Sequence, residues 1–216
     1  MNHLKTKDII IGKIKQALSS PTNVPVSLPD QESAIYPNLG DDLEMAFAER
    51  FLAVKGQFFF CVDHNELVEQ IENFTASRKV KNIFVWEKNL LTVLDKAAIR
   101  FNAKEEEFIN CEVGITTCES LVARTGSILV SSKTLSGRRL TVFPPVHIVV
   151  AYTSQIVAEI KDGFALLKDK YSTSSMPSMI SLVTGPSRTA DIEKTLVLGA
   201  HGPRELILFL IDDSIN

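Results

Sequence analysis

The sequence predicts an α/β fold, an open and mainly parallel sheet flanked by helices, and three observations carry that expectation. Short apolar runs of strand length alternate with stretches of helical periodicity along residues 41 to 213. The apolar runs read as buried strands, as expected for a sheet covered on both faces. Hydrophobic residues make up 45% of 216 residues, enough for a full core and a length that suits one domain with trimmings.

The elements follow in order. Leu4, Ile9, Ile11, Ile14, Ala17 and Leu18 recur at helical spacing among lysines and predict an amphipathic N-terminal helix. Pro21, Pro25, Pro29 and Pro37 then remove amide donors and fix φ, so residues 19 to 40 are expected as an extended arm. The organisation expected is an N-terminal helix and proline-containing arm over 1 to 40 and an α/β domain over 41 to 216. Asp41 is expected to cap a helix with Glu44 at the capping-box position and Leu43, Phe47 and Phe51 on one face. Gln57 to Val62 predicts a strand. Asp63 and Glu66 open a second helix, and Lys81 to Trp86 returns to a strand. A helix over Lys88 to Arg100 precedes strands at Cys111 to Thr117, Ser127 to Ser131, Leu140 to Phe143 and His147 to Tyr152. Val157 to Tyr171 predicts a helix, and Ser178 to Val183 and Leu206 to Ile211 predict two more strands. Ile192, Leu196 and Val197 lie at helical spacing between those two strands.

Composition narrows the function. A net charge of −3 offers no basic excess for a polyphosphate backbone, so nucleic acid is not an expected partner. Cys61, Cys111 and Cys118 are too few and too irregularly spaced for a disulfide framework or a four-thiolate cluster. Residues Ile9 to Leu18 are broken by Gly12, Lys13, Lys15 and Gln16, and no run of about 18 apolar residues occurs, so the expectation is a cytoplasmic chain with no membrane span. The four histidines never pair at metal-ligand spacing, and no metal is expected. GxGxxG, the Walker loop, GxSxG and HExxH are all absent.

Seven of the ten glycines lie between Gly114 and Gly202, which places the tight turns, and the expected site, in the second half. There an apolar strand runs into Thr184, Gly185, Pro186, Ser187, Arg188 and Thr189, then Asp191 and Glu193 at an expected helix start. Such a turn aims backbone amides and the positive pole of the following helix at one point, where an anion fits. Ser187 and Thr189 supply hydroxyls and Arg188 a planar fork for a carboxylate or phosphate. The structural alternative is that Ser187 or Thr189 only caps the helix and Asp191 and Glu193 complement its dipole. His201, between Gly199 and Gly202, is a candidate acid or base, with Asp191 and Glu193 as further catalytic candidates; it equally suits a histidine that bonds a loop carbonyl. Thr125 and Gly126 form a second small-residue turn, and Arg138, Arg139 and His147 lie downstream, His147 among apolar neighbours that suit a core histidine. Glu119 is a carboxylate with no partner at readable spacing.

The run Thr184 to Glu193, TGPSRTADIE, followed by Leu196 to Pro203, resembles the C-terminal signature of the lactate utilisation protein C family, the LUD domain. The Thr125-Gly126 pair, Arg138, and the strand entry at Pro144, His147 and Ile148 resemble it too, and the likeness spans roughly residues 41 to 213. The resemblance implies the fold shared by ribose-5-phosphate isomerase, glucosamine-6-phosphate isomerase and the CoA transferases. It implies a component of a system oxidising L-lactate to pyruvate, whose iron–sulfur clusters reside in partner subunits and not in this chain. Thr125, Gly126, Arg138, Thr184, Gly185, Ser187, Arg188 and Thr189 are then the expected ligand-binding set for a small anion. A stand-alone enzyme on a sugar phosphate or CoA thioester, or a non-catalytic assembly module, are the alternatives. The sequence departs from the family at Arg124, where an acidic residue is usual, and at Ser127, where threonine is usual.

Overall fold

The computed structural model describes residues 3–19, 38–102, 104–134, 136, 138–192 and 195–214. The chain divides into two units, Met1–Asn38 and Leu39–Asn216. In the first, helix α1 (His3–Leu18) carries Ile9, Ile10, Ile11 and Ile14, all exposed. The expected proline arm lies almost wholly outside the described residues.

The second unit begins with α2 (Leu43–Ala53), whose cap is Asp42 rather than the expected Asp41. Its carboxylate accepts from the Met45 amide at 2.9 Å, a bond of the kind that stabilises a helix by about 1 kcal/mol. Phe47 and Phe51, four residues apart, stack at 5.5 Å between centroids and form the buried face. β1 (Gln57–Cys61) follows, then α3 (His64–Arg78), with Asp63 capping the amides of Asn65 and Glu66 as expected. β2 (Ile83–Phe84), α4 (Lys88–Val93) with a 3-10 turn at Leu94–Lys96, and β3 (Phe101–Asn102) lead to β4 (Val113–Thr116). The expected helix at 88 to 100 is therefore shorter. β5 (Ser120–Val122), β6 (Ser127–Ser131), β7 (Val146–Tyr152) and β8 (Ile156–Val157) precede α5 (Ile160–Lys170). β9 (Ile180–Val183), β10 (Arg188–Ile192), β11 (Thr195–Leu198) and β12 (Glu205–Ile211) complete the chain.

Six strands form one all-parallel sheet in the order β1-β12-β7-β4-β2-β3. Alternation sorts its side chains. Ile115, Ile148, Val150, Ile207 and Phe209 meet Leu67 and Ile71 of α3 and Leu90 of α4 on one face. Val149, Ala151, Leu206, Leu208 and Leu210 meet Phe47 and Phe51 of α2 on the other, together with Leu121, Ile128 and Val130 of a second, four-stranded sheet ordered β8-β5-β6-β9. Residues 206 to 211 of β12 are all buried, and each large apolar side chain there contributes about 1.5–3 kcal/mol. The mainly parallel sheet with flanking helices is as expected; the second sheet is an addition, built from strands of two to five residues.

Two expectations are corrected. Residues 140 to 143 form no strand: Leu140 N donates to Ser136 O and Phe143 N to Arg139 O, a helical turn that runs into Pro144 and Pro145 with Val142 and Phe143 exposed. Between β9 and β12 there is no helix. β10 and β11 form an antiparallel hairpin, with Arg188 opposite Leu198 and Thr189 opposite Val197. β-branched Thr189, Ile192, Thr195 and Val197 favour strand, and that preference outweighs the apolar spacing of Ile192, Leu196 and Val197.

Candidate functional site

The two threonine–glycine turns lie side by side because β6 and β9 pair, Ile128 against Val183. Ser127 Oγ donates to Thr125 Oγ1 at 2.7 Å and bonds Thr184 Oγ1 at 2.7 Å, linking the turns through three hydroxyls. Gly126 (φ +59°) and Gly185 (φ +78°) both adopt the left-handed region. Both press on the last turn of α2: a Cβ on Gly126 would stand 2.4 Å from Phe51 N, and one on Gly185 2.2 Å from Val54 O. Arg188 Nη2 donates to that same Val54 carbonyl, one the helix end leaves without an internal partner. Thr125, Gly126, Thr184, Gly185 and Arg188 are thus brought together, but around the C-terminus of α2.

The other expected residues fall into three places. Ser187 N donates to Pro203 O at 2.8 Å and Gly199 N to Ser187 O at 2.9 Å, so the amide after Pro186 is spent within the protein. Thr189 is paired in the hairpin, Asp191 lies in β10, and Glu193 lies outside the described residues. Arg138 stands apart, donating to Ser178 Oγ at 3.0 Å. With no helix after the turn, the dipole that was to receive an anion does not exist there. Arg124, where the family usually has an acid, donates to Glu159 through Nε at 3.0 Å and Nη2 at 2.6 Å, holding that carboxyl below the usual range and tying the turn to the start of α5.

On the far side of the Ser187 turn is a cleft of about 390 Å³ lined by Val142, Phe143, Pro145 and the Gly199–Gly202 loop, with His201 and Arg204 on its rim. Gly202 packs on Ser187, its hypothetical Cβ only 3.0 Å from Ser187 Cβ, which seats the loop on the signature turn. No acidic side chain lines the cleft among the described residues. Among the described side chains of the expected catalytic set, His201 lines a cavity.

A second polar region lies at the carboxyl ends of the parallel strands. The chain leaves β2 towards β3 and leaves β4 towards β7, so the connections diverge between these neighbours, the place where open α/β sheets form a crevice. Glu87, just past β2, is 4% exposed. It accepts from the Thr117 amide at 3.2 Å and from the hydroxyls of Thr117 and Ser136. Two residues beyond Thr117, Glu119 accepts from Ser131 Oγ at 2.5 Å, Lys170 Nζ at 2.8 Å and Tyr171 OH at 3.0 Å. Burial pushes the Glu119 carboxyl up, but the bonds from Lys170, Ser131 and Tyr171 outweigh it and hold the group below the usual carboxylate range. His147, wholly buried, bonds Thr116 Oγ1 through Nε2 at 2.9 Å, and burial lowers it to about 4. Sequence reasoning passed over Glu87; a carboxyl directly after the apolar strand Ile83 to Trp86 was the signal for it.

Among the described residues no group of His, Cys, Asp and Glu is arranged for a metal, and no helix is long and apolar enough to cross a membrane. The three cysteines are free and buried, and burial raises Cys61 and Cys111 to about 12.

Comparison with known proteins gives the chain its kin. The family model described as the LUD domain matches residues 44–211. An uncharacterized protein of Neisseria meningitidis serogroup B is 38% identical over 108 residues, covering 50% of this chain and 46% of its own. Lactate utilization protein C of Bacillus licheniformis is 34% identical over 120 residues (55% and 49%), and that of Bacillus subtilis 34% over 113 residues (52% and 46%). The chain spans about half the length of the curated relatives it matches. Among solved structures, a DUF162 family protein from Deinococcus radiodurans superposes with a TM-score of 0.58 at 18% identity, over 82% of this chain and 99% of that one, and so shares the fold.

Proposed function

Because the chain belongs to the LUD domain family, we propose that it is a cytoplasmic component of a system oxidising L-lactate to pyruvate, working beside subunits that carry the iron–sulfur clusters. The observation that carries the pathway is the likeness to relatives named lactate utilization protein C. Within that role the chain binds a small carboxylate or phosphate at the TGPSRTADIE segment, on the face of the turn that meets Gly202 rather than the face that meets α2. The support is chemical: the cleft there has the Arg204 guanidinium and the His201 imidazole on its rim and no carboxylate among its described lining residues. Arg204 offers the fork for the anion and His201 a ring nitrogen that can donate to it.

Deleting the gene and growing the host on L-lactate as sole carbon source tests the pathway. Growth is expected to fail on lactate and not on glucose, and to return with the intact gene; undiminished growth on lactate overturns the assignment. Complementation with Arg204→Gln tests the cleft and is expected to restore growth poorly. Calorimetric titration with phosphate and small carboxylates should show at least a tenfold loss of affinity in the same variant, about 1.4 kcal/mol.

A further inference from the structure

The two walls of the His201 cleft are tied to each other. Pro145 O accepts from the amides of Arg204 at 2.8 Å and Glu205 at 3.2 Å, which fixes the wall carrying Val142 and Phe143 to the start of β12. Phe143 N donates to Arg139 O at 2.8 Å, so that wall is a closed turn. On the other wall Gly199 adopts φ +74°, and an added Cβ there would collide with Arg204 Cγ. Glycine thus leaves room for the arginine stem beside the loop. The side chains of Arg204 and His201 have no hydrogen-bond or ion-pair partner among the described residues, and the amides of Ala200, His201 and Gly202 have no acceptor there. One wall is therefore a set of unspent donors around a cation.

The facing wall is apolar. Val142 and Phe143 are 49% and 48% exposed, and both line the cleft. Buried Phe108 backs the Phe143 ring at 4.7 Å between centroids, and Phe108 in turn meets Phe84 at 5.6 Å and Trp86 at 5.0 Å. An aromatic row holds Phe143 at the cavity. A volume of about 390 Å³ lies within the range of about 300–1,000 Å³ typical of pockets that enclose more than a few atoms. A lactate-sized ion at the donor wall would leave the Phe143 wall uncovered.

We infer that the cleft takes an anion carried on a flat aromatic ring, the ring against Phe143 and the carboxylate or phosphate against Arg204 and the Gly199–Gly202 loop. The inference rests on the proposal above that this cleft is an anion site, and it names what bears the anion. A ring is favoured over an aliphatic chain because a second ring gains offset-stacked or edge-to-face contact with Phe143 beyond the burial that both share.

Calorimetric titration of the full chain with benzoate against acetate, and with phenyl phosphate against inorganic phosphate, tests it. Each aromatic anion is expected to bind about tenfold more tightly than its ring-free counterpart. Benzoate should also exceed cyclohexanecarboxylate, which has similar bulk and charge without the flat π face. Phe143→Leu should remove that last advantage, and Arg204→Gln should weaken every anion alike. Benzoate no tighter than acetate, or equal to cyclohexanecarboxylate, overturns the inference; both comparisons use the unaltered chain and hold even if Phe143→Leu does not fold. A benzoate advantage indifferent to Phe143→Leu in a folded protein overturns it as well. Acetate and phosphate binding that Arg204→Gln abolishes, with no preference for the aromatic anions, defeats this inference and leaves the anion site standing. No binding by any of these probes defeats both. Where benzoate leads, adenosine monophosphate tighter than phenyl phosphate assigns the ring to a nucleotide, and the reverse assigns it to a free aromatic acid.

Discussion

Glu119 and Glu87 are buried carboxyls at the same end of the same sheet, and they are treated differently. Glu119 faces an ammonium, a phenol and a hydroxyl, a set that neutralises it and fixes the second sheet to the end of α5. Glu87 is met, among the described residues, by hydroxyls and an amide, none of them charged, and all four of its bonds come from Thr117, just past β4, and from Ser136. Both carboxyls are fully hydrogen-bonded; one faces a cation, the other is held by neutral donors alone, which is the costlier way to bury a charged group.

Replacing each carboxyl puts that contrast to the test. Glu119→Ala leaves Ser131, Lys170 and Tyr171 without their shared acceptor and is expected to destabilise by about 3–4 kcal/mol in urea unfolding. Glu87→Gln, which keeps an acceptor for the same hydroxyls, should cost less than about 1 kcal/mol. Similar losses in the two variants would erase the distinction.

Acid sharpens it further through a third buried group. His147 titrates at about 4 in the fold against 6.5 in an unfolded chain, so its contribution is fully present above pH 6.5 and is lost as pH falls from 6.5 to 4. That swing amounts to about 3 kcal/mol, and Glu119, depressed below its ordinary value, adds a loss of the same sign at lower pH. Stability measured against pH should therefore slope downward below 6.5, and His147→Gln should flatten the slope between 6.5 and 4 while leaving the part due to Glu119. An unchanged slope would mean that the histidine charges freely.

The smallest effect concerns Arg188, the residue in which the signature placed its binding power. It donates to Val54 O at an exposed position, so Arg188→Gln is expected to lower stability by only about 0.5 kcal/mol in thermal melts.

These contrasts show what the sequence could and could not convey. Asp63 as a cap, Ser127–Ser131 as a strand and the buried run through β12 were legible, because cap chemistry and continuous apolar runs act locally. The hairpin after Ser187 was not, since Ile192, Leu196 and Val197 satisfy a helical spacing while the β-branched residues beside them form strands. The grouping of Thr125, Gly126, Thr184, Gly185 and Arg188 was legible as a cluster; its target, the end of α2 more than 70 residues from the nearer turn, was not. Glu87 went unnoticed for a similar reason: its partners Thr117 and Ser136 come from 30 and 49 residues away.

The position of β12 bears on how such a chain comes to be folded at all. Gln57 pairs with Ile207, and β12 lies between β1 and β7, so among the described strands β1 has no neighbour until residues 205 to 211 have been synthesised. During translation β1 must wait with Phe58 and Phe59 unprotected, a window in which a chaperone, or self-association, can claim it. Loss of those seven residues would strand β1 from the sheet and leave β7 as a bare edge of the four strands that remain.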